Sequence, residues 1–348
     1  MNKNIKRSFI VGALAVLCSL PAFGGNPNRT GTAGGQELLI PVGGRGIGLG
    51  GSLLASATGV DALFWNPAGL PRMSGSAEAS FSQMSYIADI GVSYGAVGIK
   101  AGSLGSIGLS LKSISFGDIP VTTAEAPDGT GQTFSPTFVD AGLTYSSMLS
   151  DRVSFGVTAT LVTEKIMSTS ASSIAFSGGV QYSGLGLPGL SLGVAFKNFG
   201  SALSFDGSDL LVTAAADGAN RPKSFYKVTV APAELPTSLE LGLAYNVRFD
   251  EQNSVQINGD FANNNYSDDE YKLGAEFTLV NQVYVRGAYS LSPNTTKDLT
   301  GTSEYQYDYA FGAGFKIDLG GATASVDYGY RHLRILSSNN VFSVTLGF

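Results

Sequence analysis

The sequence is poor in the residues that most enzymes and metal sites need. It has one cysteine, one histidine and one tryptophan in 348 residues, and only 14% of its residues are charged. A nucleophilic triad needs a base beside the nucleophile, and a zinc site needs several His or Cys ligands. The single histidine, His332, is in phase with Tyr328 and Tyr330, which predicts an outward position near a rim. We therefore expect a protein that is not an enzyme and that holds no metal and no cofactor.

Positive charge and long apolar runs are also scarce. The 21 Lys and Arg residues are outnumbered by 27 Asp and Glu residues, for a net charge of −6. Nucleic-acid binding depends on clustered Lys and Arg, so no nucleic-acid partner is expected. After the first 24 residues no segment approaches the 18 apolar residues of a membrane-spanning helix, so we expect no transmembrane helix in the mature chain.

The N-terminus has the pattern of a secretory signal peptide. Lys3, Lys6 and Arg7 precede an apolar stretch that runs from Phe9 to Leu20. A basic segment, a short apolar segment and a small residue at the cleavage site are the parts of such a signal. Residues 1–24 are predicted to be removed on export. Cys18 would leave with them.

What the sequence does contain is alternation with a period of two. The last eight residues read VFSVTLGF, and the side chains of Phe342, Val344, Leu346 and Phe348 share one face of a strand. An apolar outer face and a terminal aromatic residue are typical of the closing strand of an outer-membrane barrel. The same alternation occurs in soluble sandwiches, where the apolar face is the shared core.

Strand length and loop length favour the membrane barrel. Several alternating runs exceed ten residues, the length that a tilted strand needs to cross a bilayer, whereas soluble strands are usually shorter. The long connections, near 117–133, 198–235 and 292–303, all follow odd-numbered strands, which predicts short turns at one rim and long loops at the other. The prediction is an all-β fold, a 14-stranded antiparallel transmembrane β-barrel spanning residues 76–348. Its strands are expected near 76–86, 90–99, 104–116, 134–147, 152–166, 171–183, 188–197, 236–248, 252–263, 269–280, 282–291, 304–317, 321–335 and 339–348.

The third strand has one irregularity. Ile107, Leu109 and Leu111 keep one phase, but Ile114 and Phe116 take the other, so the apolar face slips around Lys112 and Ser113. A β-bulge at those two residues would restore the phase. Such a bulge is either a structural feature of the rim or a functional kink.

Residues 25–75 do not alternate and are predicted to form an N-terminal, partly helical hatch or plug. Leu53, Leu54, Ala57, Val60 and Phe64 recur at helical spacing. The residue before a proline avoids the helical region, so the helix should end at Asn66-Pro67. Because a barrel this wide needs filling, we expect the segment inside the lumen, with Trp65 as a packing anchor.

Three short stretches resemble the N-terminal signature of the PorV/PorQ family, within the FadL-like outer-membrane barrels. They are residues 29–33 (RTGTA), residues 38–46 (LLIPVGGRG) with Leu49-Gly50-Gly51, and residues 61–70 (DALFWNPAGL). The resemblance implies a fourteen-stranded barrel with a hatch that carries the motif Trp65, Asn66, Pro67, Ala68 and Gly69. It also implies that a kink in the third strand, here at Lys112 and Ser113, opens the wall sideways.

Two functions follow from this resemblance. FadL-like members pass hydrophobic molecules through a hatch-gated lumen, whereas PorV receives exported cargo proteins for type IX secretion. The first predicts an apolar pocket between hatch and wall, and the second a filled lumen with an apolar patch on the outer loops. Either way the expected location is the outer membrane of a Gram-negative-type bacterium, with lipid as a partner. The barrel assembly machinery would read the closing residues Phe342, Val344, Leu346 and Phe348.

Overall fold

A computed structural model describes residues 29–215, 223–293, 295 and 305–348. The predicted signal peptide lies outside these residues. Fourteen long strands dominate the described chain. They are β1 (Ala77–Ser85), β2 (Gly91–Lys100), β3 (Ser106–Ser115), β4 (Thr137–Met148), β5 (Val153–Ile166), β6 (Thr169–Ser183), β7 (Leu190–Gly200), β8 (Ser238–Arg248), β9 (Ser254–Asn264), β10 (Glu270–Leu279), β11 (Val283–Leu291), β12 (Tyr307–Asp318), β13 (Thr323–Leu333) and β14 (Asn339–Gly347).

The strands close into a barrel. Each strand pairs antiparallel with the next one along the chain, and β14 returns to pair with β1, where Val344 lies opposite Phe81. The final residue completes the seam, because the carbonyl oxygen of Phe348 accepts hydrogen bonds from the backbone nitrogens of Ser76 and Ala77. The predicted 14-stranded antiparallel barrel is confirmed, and every strand lies within a few residues of its predicted position.

The connections differ in length between the two rims. Those after even-numbered strands are short turns, whereas the long connections, 116–136, 201–237 and 292–306, all follow odd-numbered strands. Two of the long connections carry short strands of their own: Ile119–Pro120 pairs with Thr133–Phe134, and Leu211–Ala214 pairs with Ser224–Lys227. We call the rim with the long connections the loop rim and the opposite one the turn rim.

The outer surface of the barrel is apolar. Phe342, Val344, Leu346 and Phe348 all point outward, with between 41% and 61% of each residue exposed. Comparable residues on the other strands include Phe81, Val97, Leu109, Leu143, Val157, Phe176, Leu273 and Phe311. An outward band of this kind faces the acyl chains in a transmembrane barrel.

The bulge predicted in β3 is wrong. β3 pairs without interruption with both β2 and β4 through Lys112 and Ser113. Burial alternates regularly along the strand, so Ile114 points into the lumen and is buried there. The change of phase in the sequence therefore marks an apolar patch on the inner wall. The register shifts instead between Phe176 and Gly178, where β6 pairs with β7, and between Tyr307 and Ala310, where β12 pairs with β13.

Residues 29–75 form short helices and turns. The α-helices are α1 (Gly44–Gly48) and α2 (Ala62–Trp65), and 3-10 turns cover Gln36–Leu39, Gly59–Asp61 and Pro67–Arg72. The continuous helix predicted from Leu53 to Phe64 is wrong, although its end at Asn66 is right. Leu53, Leu54, Ala57 and Val60 are all buried, but they lie in an irregular segment that is enclosed on several sides. No helix in the described residues is long and apolar enough to cross a membrane.

Candidate functional site

The segment that precedes the barrel, residues 29–75, lies within the lumen, and we call it the hatch. Its backbone is tied to inner-face side chains around the barrel. The nitrogen of Gly44 donates to Ser343 Oγ at 3.0 Å, and the nitrogen of Leu54 donates to Asp260 Oδ2 at 2.9 Å. Lys112 Nζ donates to the carbonyl oxygen of Glu37 at 2.6 Å. These bonds satisfy backbone groups that an irregular buried segment otherwise leaves unpaired.

Asn66 joins two parts of the hatch to the wall. Its side chain is fully buried, and Nδ2 donates to the carbonyl oxygens of Leu54 at 2.9 Å and Val180 at 3.4 Å. Its Oδ1 accepts a hydrogen bond from the nitrogen of Ala68 at 3.2 Å, which caps the turn that starts at Pro67. One amide thus fixes the fold of the hatch and its position against β6.

A buried ion network anchors α1 to the far wall. Arg45 reaches Glu276 with two nitrogens, at 3.1 and 3.2 Å. Glu276 also pairs with Arg286 at 2.6 Å, and Arg286 pairs with Asp327 at 2.6 Å. Asp61, in the hatch, lies 3.6 Å from Arg45. Burial raises the pKa of Asp61 to about 6, although Arg45 favours its ionised form.

The hatch fits against the wall because the inner face carries glycine at the points of closest approach. A methyl group on Gly156 would overlap the carbonyl group of Pro67 and the nitrogen of Ala68. On the other side of the barrel, a methyl group on Gly329 would overlap the carbonyl oxygen of Gly44. At these two positions, glycine on the inner face of the barrel leaves room for the backbone of the hatch.

A cavity of about 1190 Å³ lies between the hatch and the wall, on the side of the loop rim. Its walls include hatch residues such as Ile40 and Trp65, strand residues such as Ile114, and loop residues such as Tyr86 and Phe205. A volume of this size accommodates a small organic molecule. Below it, the hatch core of Leu53, Ala57, Val60, Leu63, Trp65 and Leu70 is buried. A second cavity of about 280 Å³, lined by Ser56, Thr58 and Asn246 among others, lies on the turn-rim side of that core.

One wall of the large cavity is apolar and aromatic. Ile114, Phe116 and Phe138 come from the ends of β3 and β4 at the loop rim and from the connection between them. The rings of Phe116 and Phe138 meet edge to face, with centroids 4.9 Å apart. Ile40 of the hatch and Ile90 of the β1–β2 connection pack against the same patch. The change of phase in the sequence of β3 places Ile114 on the inner face, where it forms part of this surface.

The rest of the cavity is charged, and its charges fall into two groups. On one side Lys197 pairs with Glu240 at 3.0 Å, and Lys272 pairs with Glu270 at 2.8 Å. The other group, Glu37, Asp140, Glu164 and Lys112, lies beside the aromatic wall. Period-two alternation by itself predicts that Glu240, Glu276, Arg286 and Asp327 face the lumen, where they either line a polar channel or pair with one another around a plug. It missed Glu37 and Arg45, because hatch residues show no periodicity that assigns them a face.

The only histidine lies at the loop rim. His332 Nδ1 is 2.7 Å from Asp308 Oδ1, and its ring stacks on Tyr309 with centroids 4.4 Å apart. Among the described residues no group of three or more His, Cys, Asp or Glu residues is placed to hold a metal ion. The motif residues Trp65 to Gly69 lie together in the hatch, whereas Lys112 and Ser113 lie on an unbroken strand.

Comparison with known proteins gives a match in structure alone. No protein-family model matches the sequence, and no curated protein matches it. The chain is similar to the CymD monoaromatic hydrocarbon channel, with a TM-score of 0.56 and 14% identity over 88% of this chain and 97% of that one. It is also similar to the Pseudomonas putida toluene transporter TodX, with a TM-score of 0.53 and 15% identity over 86% and 96% of the two chains.

A third similar structure is a Pseudomonas aeruginosa FadL homologue, with a TM-score of 0.52 and 13% identity over 88% of this chain and 98% of that one. The chain has the fold of the FadL-like channels. Identities this low show the fold and leave the ligand open.

Proposed function

We propose that this protein is an outer-membrane channel that binds hydrophobic molecules in the cavity above the hatch and passes them across the membrane. The observation that carries the proposal is the apolar wall of Ile114, Phe116 and Phe138 inside a cavity of about 1190 Å³. A buried aromatic surface beside an empty volume binds apolar ligands by the hydrophobic effect. The FadL-like fold supports the same class of ligand, since the similar channels named above are described as carrying monoaromatic hydrocarbons or toluene.

The hatch is the gate in this proposal. Its buried core separates the two cavities, so a ligand reaches the turn rim only if part of residues 36–75 moves. The segment Trp65, Asn66, Pro67, Ala68 and Gly69 is the proposed gating element, because Asn66 holds both the hatch and the wall. A sideways exit through β3 has no support, since that strand is paired on both sides through Lys112 and Ser113.

Trp65 provides a direct test of binding. It is the only tryptophan and it lines the cavity, so its fluorescence reports what enters. In lipid nanodiscs, toluene should change the Trp65 emission saturably. Ile114→Gln places a polar group on the apolar wall and should weaken the response. Leu109→Gln, on the outward face of the same strand, is the matched control and should leave it unchanged. An unsaturable response, equal in both variants, would reflect partition into lipid and contradict the proposal.

A role in receiving exported proteins is the second candidate. It is favoured by the hairpin of Leu211–Ala214 and Ser224–Lys227, which exposes Leu211, Val212 and Phe225 on the loop rim. The open cavity disagrees with the filled lumen that this role predicts. Purification from native membranes separates the two candidates. An exported protein retained with the barrel, in place of lipid or hydrocarbon, would support the receptor.

Export and assembly complete the proposal. We assign residues 1–24 to a cleaved signal peptide, and Phe342, Val344, Leu346 and Phe348 to the signal that the barrel assembly machinery reads. The outward position of these four side chains on the closing strand supports the second assignment. Truncation after Gly347 should reduce the amount of heat-modifiable, folded barrel in the outer membrane.

A further inference from the structure

The charge in the large cavity is not evenly balanced. Among the described residues, six carboxylates and four cationic side chains line it, a formal excess of two negative charges: Glu37, Asp140, Glu164, Glu240, Asp268 and Glu270 against Lys112, Lys197, Lys272 and Arg331. Lys197 and Lys272 are each matched by a glutamate. The excess is therefore concentrated where Glu37, Asp140 and Glu164 share the single ammonium of Lys112.

The ammonium group of Lys112 already has two partners. Lys112 Nζ lies 3.1 Å from Asp140 Oδ2 and donates to the backbone oxygen of Glu37 at 2.6 Å. Glu164 Oε1 accepts a hydrogen bond from the nitrogen of Gly35 at 3.0 Å. Within the described residues, neither carboxyl oxygen of Glu37 pairs with a cation or has a hydrogen-bond donor, although the residue is only 3% exposed.

The surroundings of Glu37 favour its protonated form. Burial, together with the charges of Asp140 and Glu164, raises the pKa of Glu37 to about 8. The carboxylate of Glu164 disfavours a second negative charge beside it, so it favours the neutral form of Glu37. A buried carboxyl group of this kind gives up its proton when a cation arrives to replace it.

The same groups adjoin the aromatic wall. On the inner face, Lys112 lies opposite Asp140, and the next inward pair along the two strands is Ile114 opposite Phe138. Glu164 on β5 lies opposite Phe138 on its other side. Glu164, which pairs with no cation among the described residues, thus lies beside the edge-to-face pair of Phe116 and Phe138. Aromatic faces and carboxylates together are the usual surroundings of organic ammonium ions in proteins.

Resting on the proposed function, we propose that the cavity prefers hydrophobic cations, with the apolar body against Ile114, Phe116 and Phe138 and the ammonium group against Glu37, Asp140 and Glu164. A neutral hydrocarbon fills the same space but leaves the negative excess uncompensated. An anion is repelled by it. Lys112 is not available to receive an anion, since it already binds Asp140 and the Glu37 carbonyl oxygen.

The test compares three probes of nearly equal shape by Trp65 fluorescence in nanodiscs, with blank nanodiscs used to correct for partition. They are the benzyltrimethylammonium cation, its neutral isostere neopentylbenzene and the phenylmethanesulfonate anion. Coulombic attraction to the carboxylates and cation–π contact with the aromatic wall favour the cation over the neutral probe by about tenfold or more. The affinity for the cation should rise with pH up to about 8, because Glu37 must lose its proton, while the affinity for neopentylbenzene should stay flat.

Variants locate the effect. Glu37→Gln should abolish both the preference and its pH dependence while still binding neopentylbenzene. Glu240→Gln removes one negative charge from the balanced side of the same cavity and should retain the preference. If Glu37→Gln does not fold, Asp140→Asn provides the test instead, and this variant should reduce the preference for the cation.

The outcomes separate the two proposals. Equal or tighter binding of neopentylbenzene, or tighter binding of the sulfonate, overturns the preference for cations and leaves the hydrophobic channel intact. No saturable response to any of the probes overturns both.

Discussion

Arg45 in the hatch and Glu276 on the inner face of β10 form a two-armed ion pair, with Nε 3.1 Å from Oε2 and Nη2 3.2 Å from Oε1. Glu276 is 6% exposed, so the pair lies in a region where water screens little. Because Arg45 lies in the hatch and Glu276 lies in the barrel wall, this ion pair holds the hatch in place against the wall.

Breaking this pair should loosen the hatch and leave the barrel intact. Arg45→Met removes the cation but leaves Glu276 paired with Arg286, so we expect a cost of about 3 kcal/mol, the lower end of the range for a broken buried pair. Hydrogen exchange should accelerate at residues 44–48 and not in the strands. Asp206→Asn breaks the exposed pair with Lys227 and serves as the control, with little change expected. Faster exchange throughout the barrel would contradict a local anchor.

Glycine on the inner wall should be necessary where the hatch touches it. Gly156→Ala forces the Pro67 backbone away from β5, and overpacking of this kind costs about 1–3 kcal/mol. Gly95→Ala is the matched control, since a methyl group there meets no atom within 4 Å. Denaturant unfolding of the two variants should differ accordingly. Equal midpoints would mean that the hatch moves freely at this contact.

The hatch should lose stability as the pH rises. The pKa of Glu37 in the folded protein, about 8, lies above its ordinary value of 4.5, so the native state binds the proton more tightly than the unfolded state. The stabilising contribution of the Glu37 proton is fully present below about pH 4.5. It falls as the pH rises and is lost above about pH 8. Protection factors at residues 36–39, corrected for the pH dependence of intrinsic amide exchange, should therefore fall between pH 6.5 and about 8. Glu37→Gln should give a flat profile, and a wild-type profile that is flat would refute the assignment.

A charge on the outer band should be costly, whereas the same charge at a turn should not. Val344→Arg places a cation among lipid-facing residues of β14, where the cost reaches about 2–4 kcal/mol near the bilayer midplane. Leu319→Arg, at the turn between β12 and β13, should fold as the wild type does. Folding into lipid vesicles, followed by heat modifiability on gels, measures both. Equal yields would argue against a lipid-facing β14.

Several features of the fold could be predicted from the sequence. Period-two alternation over about ten residues is a local property, so the strands and their outward faces were found without knowledge of their partners. The placement of the long connections at one rim and the short turns at the other followed from the order of the predicted strands alone. The end of the helix at Asn66 followed from the proline after it, since that effect acts between neighbouring residues.

The site depended on tertiary structure. Ile114 and Phe116 looked like a slipped lipid face, but a strand pattern does not tell whether an apolar side chain meets lipid or a buried lumen. Leu53, Ala57 and Val60 had helical spacing, yet enclosure on several sides removes the need for a single apolar face. The contact of Arg45 with Glu276 joins residues far apart in the chain, and only closure of the barrel brings them together. The strands were set by local periodicity, whereas the cavity and its unbalanced charge arise from the path of the hatch through the lumen.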